Sequence, residues 1–473
     1  MKRIYLSLIA LITVVVGLLL FVFIDKDREI ESVEGVQTQV LGNGMKVVVM
    51  ENRRAPVVIS QVWYKVGGSY EHDGITGVSH VLEHMMFKGT ENLEPGEFSE
   101  IIAAKGGREN AFTSKDYTAY FQRISNEHLE LCLELEADRM RNLQLTDEEF
   151  IKEIEVIKEE RRLRTDDNPT SLTYERFNAV AFANNPYRQP IIGWMEDLNT
   201  MDVGDLRDWY QTWYAPNNAT LVVIGDVRAK EVFSLAKKYF GSLKKSEIPI
   251  LKPRREIQQY GIKRVQVKAP AKVPFLVMGY KVPVLNTAMD IDEVYALELL
   301  AGLLDGGNSA RLAKNLVRGS EIATSAGAGY SLYALHDSLF TLSAIPADGV
   351  DVRDMEAALV AEVDDIKNNL PSEEEMARVR AQVVASSVFE QDSGFYQGMK
   401  IGILETVGLG WQTNNEYVEK IKAVTAEQVQ QVARKYLVEK HLTVAELLPQ
   451  SNGVEDASTL SAGMANSGGR HAH

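Results

Sequence analysis

Residues 77–90, GVSHVLEHMMFKGT, hold His80, Glu83 and His84 within five consecutive positions of a chain that has eight histidines. On a helix, residues four apart share a face, so His80 and His84 can present two imidazoles to one ion. Glu83, three residues after His80, stands on the same side. A catalytic zinc takes three protein ligands and keeps a position for water. It lowers that water's pKa to near 7, and a neighbouring carboxylate can take the proton. The same residues also suit the solvated face of an ordinary amphipathic helix, because short motifs carry a real false-positive rate. Two histidines leave a catalytic site one ligand short.

Carboxylates are plentiful in FIKEIEVIKEERRLR, residues 150–164, which offers Glu153, Glu155, Glu159 and Glu160. Taken alone, such a charge run is a solvated helix face. It follows TDEE, where Thr146 and Glu149 have capping-box spacing at a helix start. The single cysteine, Cys132, excludes an intramolecular disulfide and any multi-cysteine zinc site. In the run HLELCLELEADRM it reads as a buried helix residue. A structural zinc, which needs four closed ligands and usually cysteines, finds no support.

H-V-L-E-H, followed 76 residues after its second histidine by the last Glu of E-x-x-x-I-x-E-E, resembles the pitrilysin/insulinase family of zinc metallopeptidases, the H-x-x-E-H type. The resemblance implies His80 and His84 as ligands, Glu83 as catalytic base, Glu160 as third ligand and Glu153 as a supporting acidic residue behind them. It implies one Zn2+ per chain. MMFKGT, GGRENAFTSKDYTAYF, DDNP and NPYRQPIIGW follow in the family's order, and the likeness covers roughly residues 37–449. ENAFTSKDYTAYF alternates as a strand does. In the family, peptide substrate adds to the edge of this strand beside the zinc, a mode in which main-chain hydrogen bonds supply affinity. By that likeness Asn110, Ala111 and Phe112 border the scissile bond.

One part of the pattern is broken. Active members complete the site with an Arg and a Tyr seven residues apart in the second domain. In NLVRGSEIATSAGAGY, Arg318 fits, but Ser325 stands seven residues later, and Tyr330 reads as part of the next strand. A tyrosine hydroxyl can donate to a developing oxyanion, worth about 10²–10³ in rate; serine is too short. Some bacterial relatives and the mitochondrial processing peptidases are heterodimers, and this chain resembles their zinc-bearing subunit. Its expected partners are therefore peptide substrates and a homologous subunit that supplies the Arg/Tyr pair. Two alternatives stand beside this: Arg318 is a plain surface charge on a weak enzyme, or the chain is a non-catalytic peptide-binding or assembly subunit.

The rest of the chain frames these residues. At 473 residues it is long for one core. Helix–turn–strand units at 205–224 and 427–446 echo one another, and MDIDEVYALELLAGLLDGG echoes the histidine helix. The expectation is an α+β protein of two homologous domains, each an antiparallel-rich sheet packed against helices. The zinc-bearing domain is expected at 31–250 and its homologue at 251–450, divided within the charged, Pro-containing stretch 244–261. The small, polar tail, 451–473, reads as disordered. Lys2 and Arg3 precede an uncharged apolar run from Tyr5 to Ile24, and about 20 residues match a bilayer's hydrocarbon thickness. Residues 1–30 therefore read as a single transmembrane anchor in a bacterial inner membrane, with the remainder in the periplasm. A signal cleaved on export is the alternative. A net charge of -15 with no basic patch argues against nucleic acid as a partner.

Overall fold

The computed structural model describes residues 31–33 and 35–450. The expected anchor and tail lie outside the described residues. Among those described, no helix is long and apolar enough to cross a membrane. The first sheet contains β1 (Glu31–Val33), β2 (Val36–Val40), β3 (Lys46–Glu51), β4 (Val57–Tyr64), β5 (Arg108–Thr113), β6 (Thr118–Ser125) and β7 (Ala219–Gly225). The second contains β8 (Lys263–Ala269), β9 (Phe275–Val282), β10 (Ala323–Gly329), β11 (Ser338–Pro346) and β12 (Leu442–Pro449). Their orders are β1-β2-β3-β7-β4-β6-β5 and β10-β11-β9-β12-β8.

The repeat read from the sequence is visible in this topology. In the first sheet β7 lies between β3, to which it is parallel, and β4, to which it is antiparallel. In the second, β12 lies likewise between β8 and β9. Both of these inner strands are preceded by a helix with an apolar stripe. The helices used below are α1 (Val78–Met85), α2 (Asp147–Arg161), α3 (Pro169–Ala181), α4 (Val203–Trp213), α5 (Ile291–Asp305), α6 (Gly394–Thr406) and α7 (Ala426–Tyr436). Of these, α4 precedes β7 and α7 precedes β12. β7 is buried along its whole length, which suits its unbroken apolar run ATLVVIG. Thr146 does cap α2, its hydroxyl accepting from Glu149 N at 3.3 Å. The reciprocal half of the expected capping box is replaced by an ion pair between Glu149 and Lys152 (2.8 Å).

Each sheet has one face covered by helices of its own half and one covered by a helix of the other. From the first half, α3 packs on β8 and β12. There Phe177 and Ala181 join Val267, Phe275, Val277, Ala445 and Leu447 in one buried cluster. From the second half, α6 packs on β4 and β7. There Ile401 joins Val48, Trp63, Val222 and Ile224. In both exchanges a glycine lets an aromatic ring reach backbone. A Cβ on Gly402 would lie 2.0 Å from the Trp63 ring, and one on Gly279 would lie 2.5 Å from Phe177. Lys46 adds an ion pair from β3 to Glu405 of α6 at 2.7 Å.

Residues 244–262 run between the sheets as a largely exposed strap without helix or strand. The Glu256 carboxylate ties it to the first half by accepting from the amides of Ala183, Asn184 and Asn185. It ties it to the second half through Lys281 at 2.7 Å. Burial alone would raise the Glu256 carboxyl, but Lys281 and the three amides outweigh it and hold the group down at about 2. Asp116 makes a second crossing, accepting from Ser69 Oγ (2.8 Å), Tyr187 OH and Leu335 N (3.0 Å).

Two outcomes are expected. Gly402→Val forces a side chain into the Trp63 ring and destabilises the protein by about 1–3 kcal/mol. Urea unfolding measures this, with Gly261→Ala as control, since nothing lies within 4 Å of a Cβ there. The Glu256 links stabilise the fold where the carboxylate is charged and fade as pH falls from about 4.5 to about 2. The melting temperatures of wild type and Glu256→Gln should therefore differ at pH 7 and converge across that interval.

Candidate metal centre

Helix α1 buries Val78, Ser79, Val81, Leu82 and Met85 and leaves His80, Glu83 and His84 on its other side. That division follows from the 3.6-residue period acting on VSHVLEHM. The helix begins at Gly77, whose φ of 90° falls in the left-handed region. A Cβ there would lie 2.6 Å from Ile192 O, so the position needs glycine twice over.

Helix α2 packs against α1 and presents Glu153 and Glu160 to the histidines. One ligand atom from each of His80, His84 and Glu160 can be chosen so that all lie within 4.8 Å of one another. Glu160 Oε2 is 3.8 Å from His80 Nε2 and 3.5 Å from His84 Nε2. Ligand atoms around a tetrahedral zinc stand roughly 3.3–3.5 Å apart, so the three residues fit such an ion with little movement. This is the one group of its kind among the described residues.

The surroundings prepare each ligand. Burial pushes the His80 imidazole down to about 3, with the neighbouring His84 and Arg164 acting in the same direction. His80 is therefore neutral at physiological pH, with a lone pair to offer. Its Nδ1 is buried without a hydrogen-bond partner among the described residues. His84 differs. Burial lowers its pKa, but the hydrogen bond to Glu153 and the charges of Glu83, Glu153 and Glu160 outweigh this and raise it. His84 Nδ1 lies 2.8 Å from Glu153 Oε1. A proton on Nδ1 donates to that carboxylate and leaves Nε2 facing Glu160. Glu153 is in turn paired with Lys88 at 2.5 Å. The His84 hydrogen bond, ahead of Lys88, holds the Glu153 carboxyl down at about 2, against its burial. On Glu160, Arg164 occupies Oε1 at 2.6 Å and leaves Oε2 to the histidines.

Glu83 lies beside the cluster and outside it. Its Oε2 accepts from Thr113 Oγ1 at 2.5 Å. Burial raises the Glu83 carboxyl and Glu160 adds to that, while Thr113 and His84 act in opposition. A carboxylate moved up towards neutrality is a better acceptor for a water proton.

Thr113 is the last residue of β5, which forms a free edge of the first sheet next to α1. Of the expected peptide-binding residues, Ala111 packs on the same apolar cluster as α1. Phe112 turns its ring to the opposite face, edge-on to Trp63 with centroids 5.5 Å apart. Asn110 is exposed, and its Oδ1 accepts from Ala111 N at 2.9 Å. The Phe112 ring is thus turned away from the side on which α1 lies. Arg318 is exposed on the second half and donates to Asn308 O. It makes no hydrogen bond or ion pair with the cluster among the described residues. The Tyr330 hydroxyl donates to Pro283 O at 2.6 Å, and Ser325 sits on β10, the outer strand of its sheet.

The sequence reading passed over Thr113, Lys88 and Arg164. Lys88 lies four residues after His84 and Arg164 four after Glu160, and this spacing could have marked both. Thr113 becomes legible only once β5 is known to end against α1.

The family model Insulinase (Peptidase family M16) matches residues 46–194, and Peptidase M16 inactive domain matches 200–383. The zinc protease PqqE of Helicobacter pylori is 34% identical over 358 residues, covering 75% of this chain and 79% of that protein. The uncharacterized zinc protease YmxG of Bacillus subtilis is 25% identical over 416 residues, 87% of this chain and 97% of that one. Among solved structures, a protease from Helicobacter pylori matches with a TM-score of 0.82 at 30% identity, over 90% of this chain and 100% of that chain. The periplasmic protease PqqL from Escherichia coli shares the fold, with a TM-score of 0.75 at 20% identity, over 91% of this chain and 50% of that one. The chain belongs to the insulinase family of peptidases, family M16, also called the pitrilysin family.

Proposed function

We propose that this chain is the zinc-bearing subunit of an extracytoplasmic endopeptidase that cleaves peptides or unfolded polypeptides inside a chamber. The observation that carries this is the convergence of His80, His84 and Glu160 within 4.8 Å, with Glu83 held between them and a free sheet edge. The three ligands suit one zinc ion per chain. When bound there, zinc supplies a Lewis acid that polarises a carbonyl and lowers the pKa of water to near 7. Glu83 accepts a proton from the attacking water and returns it to the departing amine. Thr113 keeps the Glu83 carboxylate turned to the groove. Substrate lies as an added strand along β5 and takes the Ala111 N–H from Asn110.

A homologous partner subunit completes the site. In support, Arg318 is bonded to Asn308, Ser325 is short, and the nearest tyrosine in sequence, Tyr330, is half-buried with its hydroxyl on Pro283. The matched PqqL chain is about twice as long, room for two such units in one polypeptide. The boundary between the zinc-bearing half and its homologue falls in the strap, at about residue 250. Residues 1–30 direct the protein out of the cytoplasm, as a retained anchor or a cleaved signal; the periplasmic PqqL neighbour supports this placement. A non-catalytic, peptide-holding role has one observation in its favour, the missing tyrosine, and the same experiments decide it.

Glu83→Gln should still bind one equivalent of zinc by metal analysis while cleavage of an unstructured peptide falls about 10²–10⁴-fold. Cleavage unaffected by that change would remove the assignment. The chain alone should be weakly active, and co-purification with a homologue carrying the Arg/Tyr pair should raise kcat about 10²–10³-fold. Full activity in the isolated chain would sink the paired-subunit reading.

A further inference from the structure

The first turn of α1 has amide groups without intrahelical partners, and its residue before the helix, Gly77, has no side chain to cap them. A distant carboxylate does so instead. Glu71, fully buried, accepts from Gly77 N through Oε2 at 2.7 Å and from Ser79 N through Oε1 at 2.9 Å. A negative charge there also meets the positive end of the helix dipole. Burial pushes the Glu71 carboxyl up to about 7, while the two amides pull it down. Carboxylate and helix start therefore hold each other in place. Asp197 secures only the loop ahead of the helix, accepting from Gly74 N, Thr76 N and Thr76 Oγ1.

The segment that carries Glu71 is gripped from the strap. The Arg254 guanidinium donates to the main-chain oxygens of Ser69 and, at 3.4 Å, of Glu71. The chain of contacts runs from the connection between the two halves, through Arg254 and Glu71, to Ser79 N. His80 is the next residue. A shift at Ser79 moves His80, Glu83 and His84 as one rigid face relative to Glu160 on α2, and metal ligation tolerates only a few tenths of an ångström.

We propose that Glu71 and Arg254 are positioning residues for the metal centre, through which the strap sets the placement of the histidine helix. This rests on the zinc reading above. The test uses the full chain and reads metal binding without reference to peptidase activity. Zinc affinity is measured by competition with a chromophoric chelator, and the ligand field by the visible spectrum of the cobalt(II)-substituted protein, for wild type, Glu71→Ala, Glu71→Gln and Arg254→Ala. Zinc affinity should fall about 10–100-fold in Glu71→Ala, as is usual when a group that orients metal ligands is lost. Glu71→Gln should recover part of it, because one oxygen still accepts from an amide. Arg254→Ala should weaken zinc less than Glu71→Ala and still displace the cobalt bands. Should Glu71→Ala fail to fold, the half-exposed Arg254 decides the matter, since its removal leaves no buried charge. Affinity within twofold of wild type and unchanged cobalt spectra would overturn the proposal. So would a lowered melting temperature with normal affinity in the folded fraction. Wild-type protein that binds no zinc would instead overturn the metal-centre reading itself.

Discussion

Neither sheet can bury both of its faces with helices from its own half, and that constraint organises the molecule. The back of the first sheet, with Trp63, Val222 and Ile224, is covered by α6, which comes from beyond residue 390. The back of the second is covered by α3, which comes from before residue 185. The hydrophobic effect is indifferent to chain order and rewards whichever helix fits. Here the two fits are reciprocal, so the halves act as one body with a strap and a buried polar seam between them. The edge strand β5 beside the candidate metal centre can rely on that rigidity because β4, against which α6 packs, is also the neighbour of β6, which pairs with β5.

On this frame the site uses position more than exotic chemistry. Two histidines on one helix and one glutamate on another would wander among rotamers in water. Burial keeps His80 neutral, Glu153 orients His84, and Arg164 occupies the far oxygen of Glu160. Each contact removes one freedom from one of the three side chains. The result is a half-enclosed set of lone pairs directed at a common point, with a carboxylate of raised pKa at its margin.

Much of this was legible in the residues. The histidine helix, the Glu160 helix, the alternating strand that carries Asn110 to Phe112, and the buried Cys132 follow local rules of period and turn chemistry. The repeat was visible as well, because helix–turn–strand units keep their length even where their side chains diverge. The exchange of α3 and α6 was not legible. An amphipathic helix advertises its apolar stripe but not which of two similar sheets will receive it. The role of Thr113 and the turning away of Phe112 depend on strand register against α1, a long-range quantity that local sequence does not encode. The residues alone left Arg318 open between the family's substrate-binding Arg and a plain surface charge, and its bond to Asn308 needed the coordinates.

The position of β12 has a bearing on biogenesis. It is the last described strand in sequence, ending at Pro449, yet it sits inside its sheet with β8 on one side and β9 on the other. During synthesis the second sheet stays split until those final residues emerge. Until then α3 lacks its full seat, and the Trp63 face waits for α6. A fragment that stops before α6 therefore leaves the Trp63 face uncovered, and one that stops before β12 leaves the seat of α3 incomplete. Fragments cut short before β12 are left with exposed apolar surface and so open to quality control.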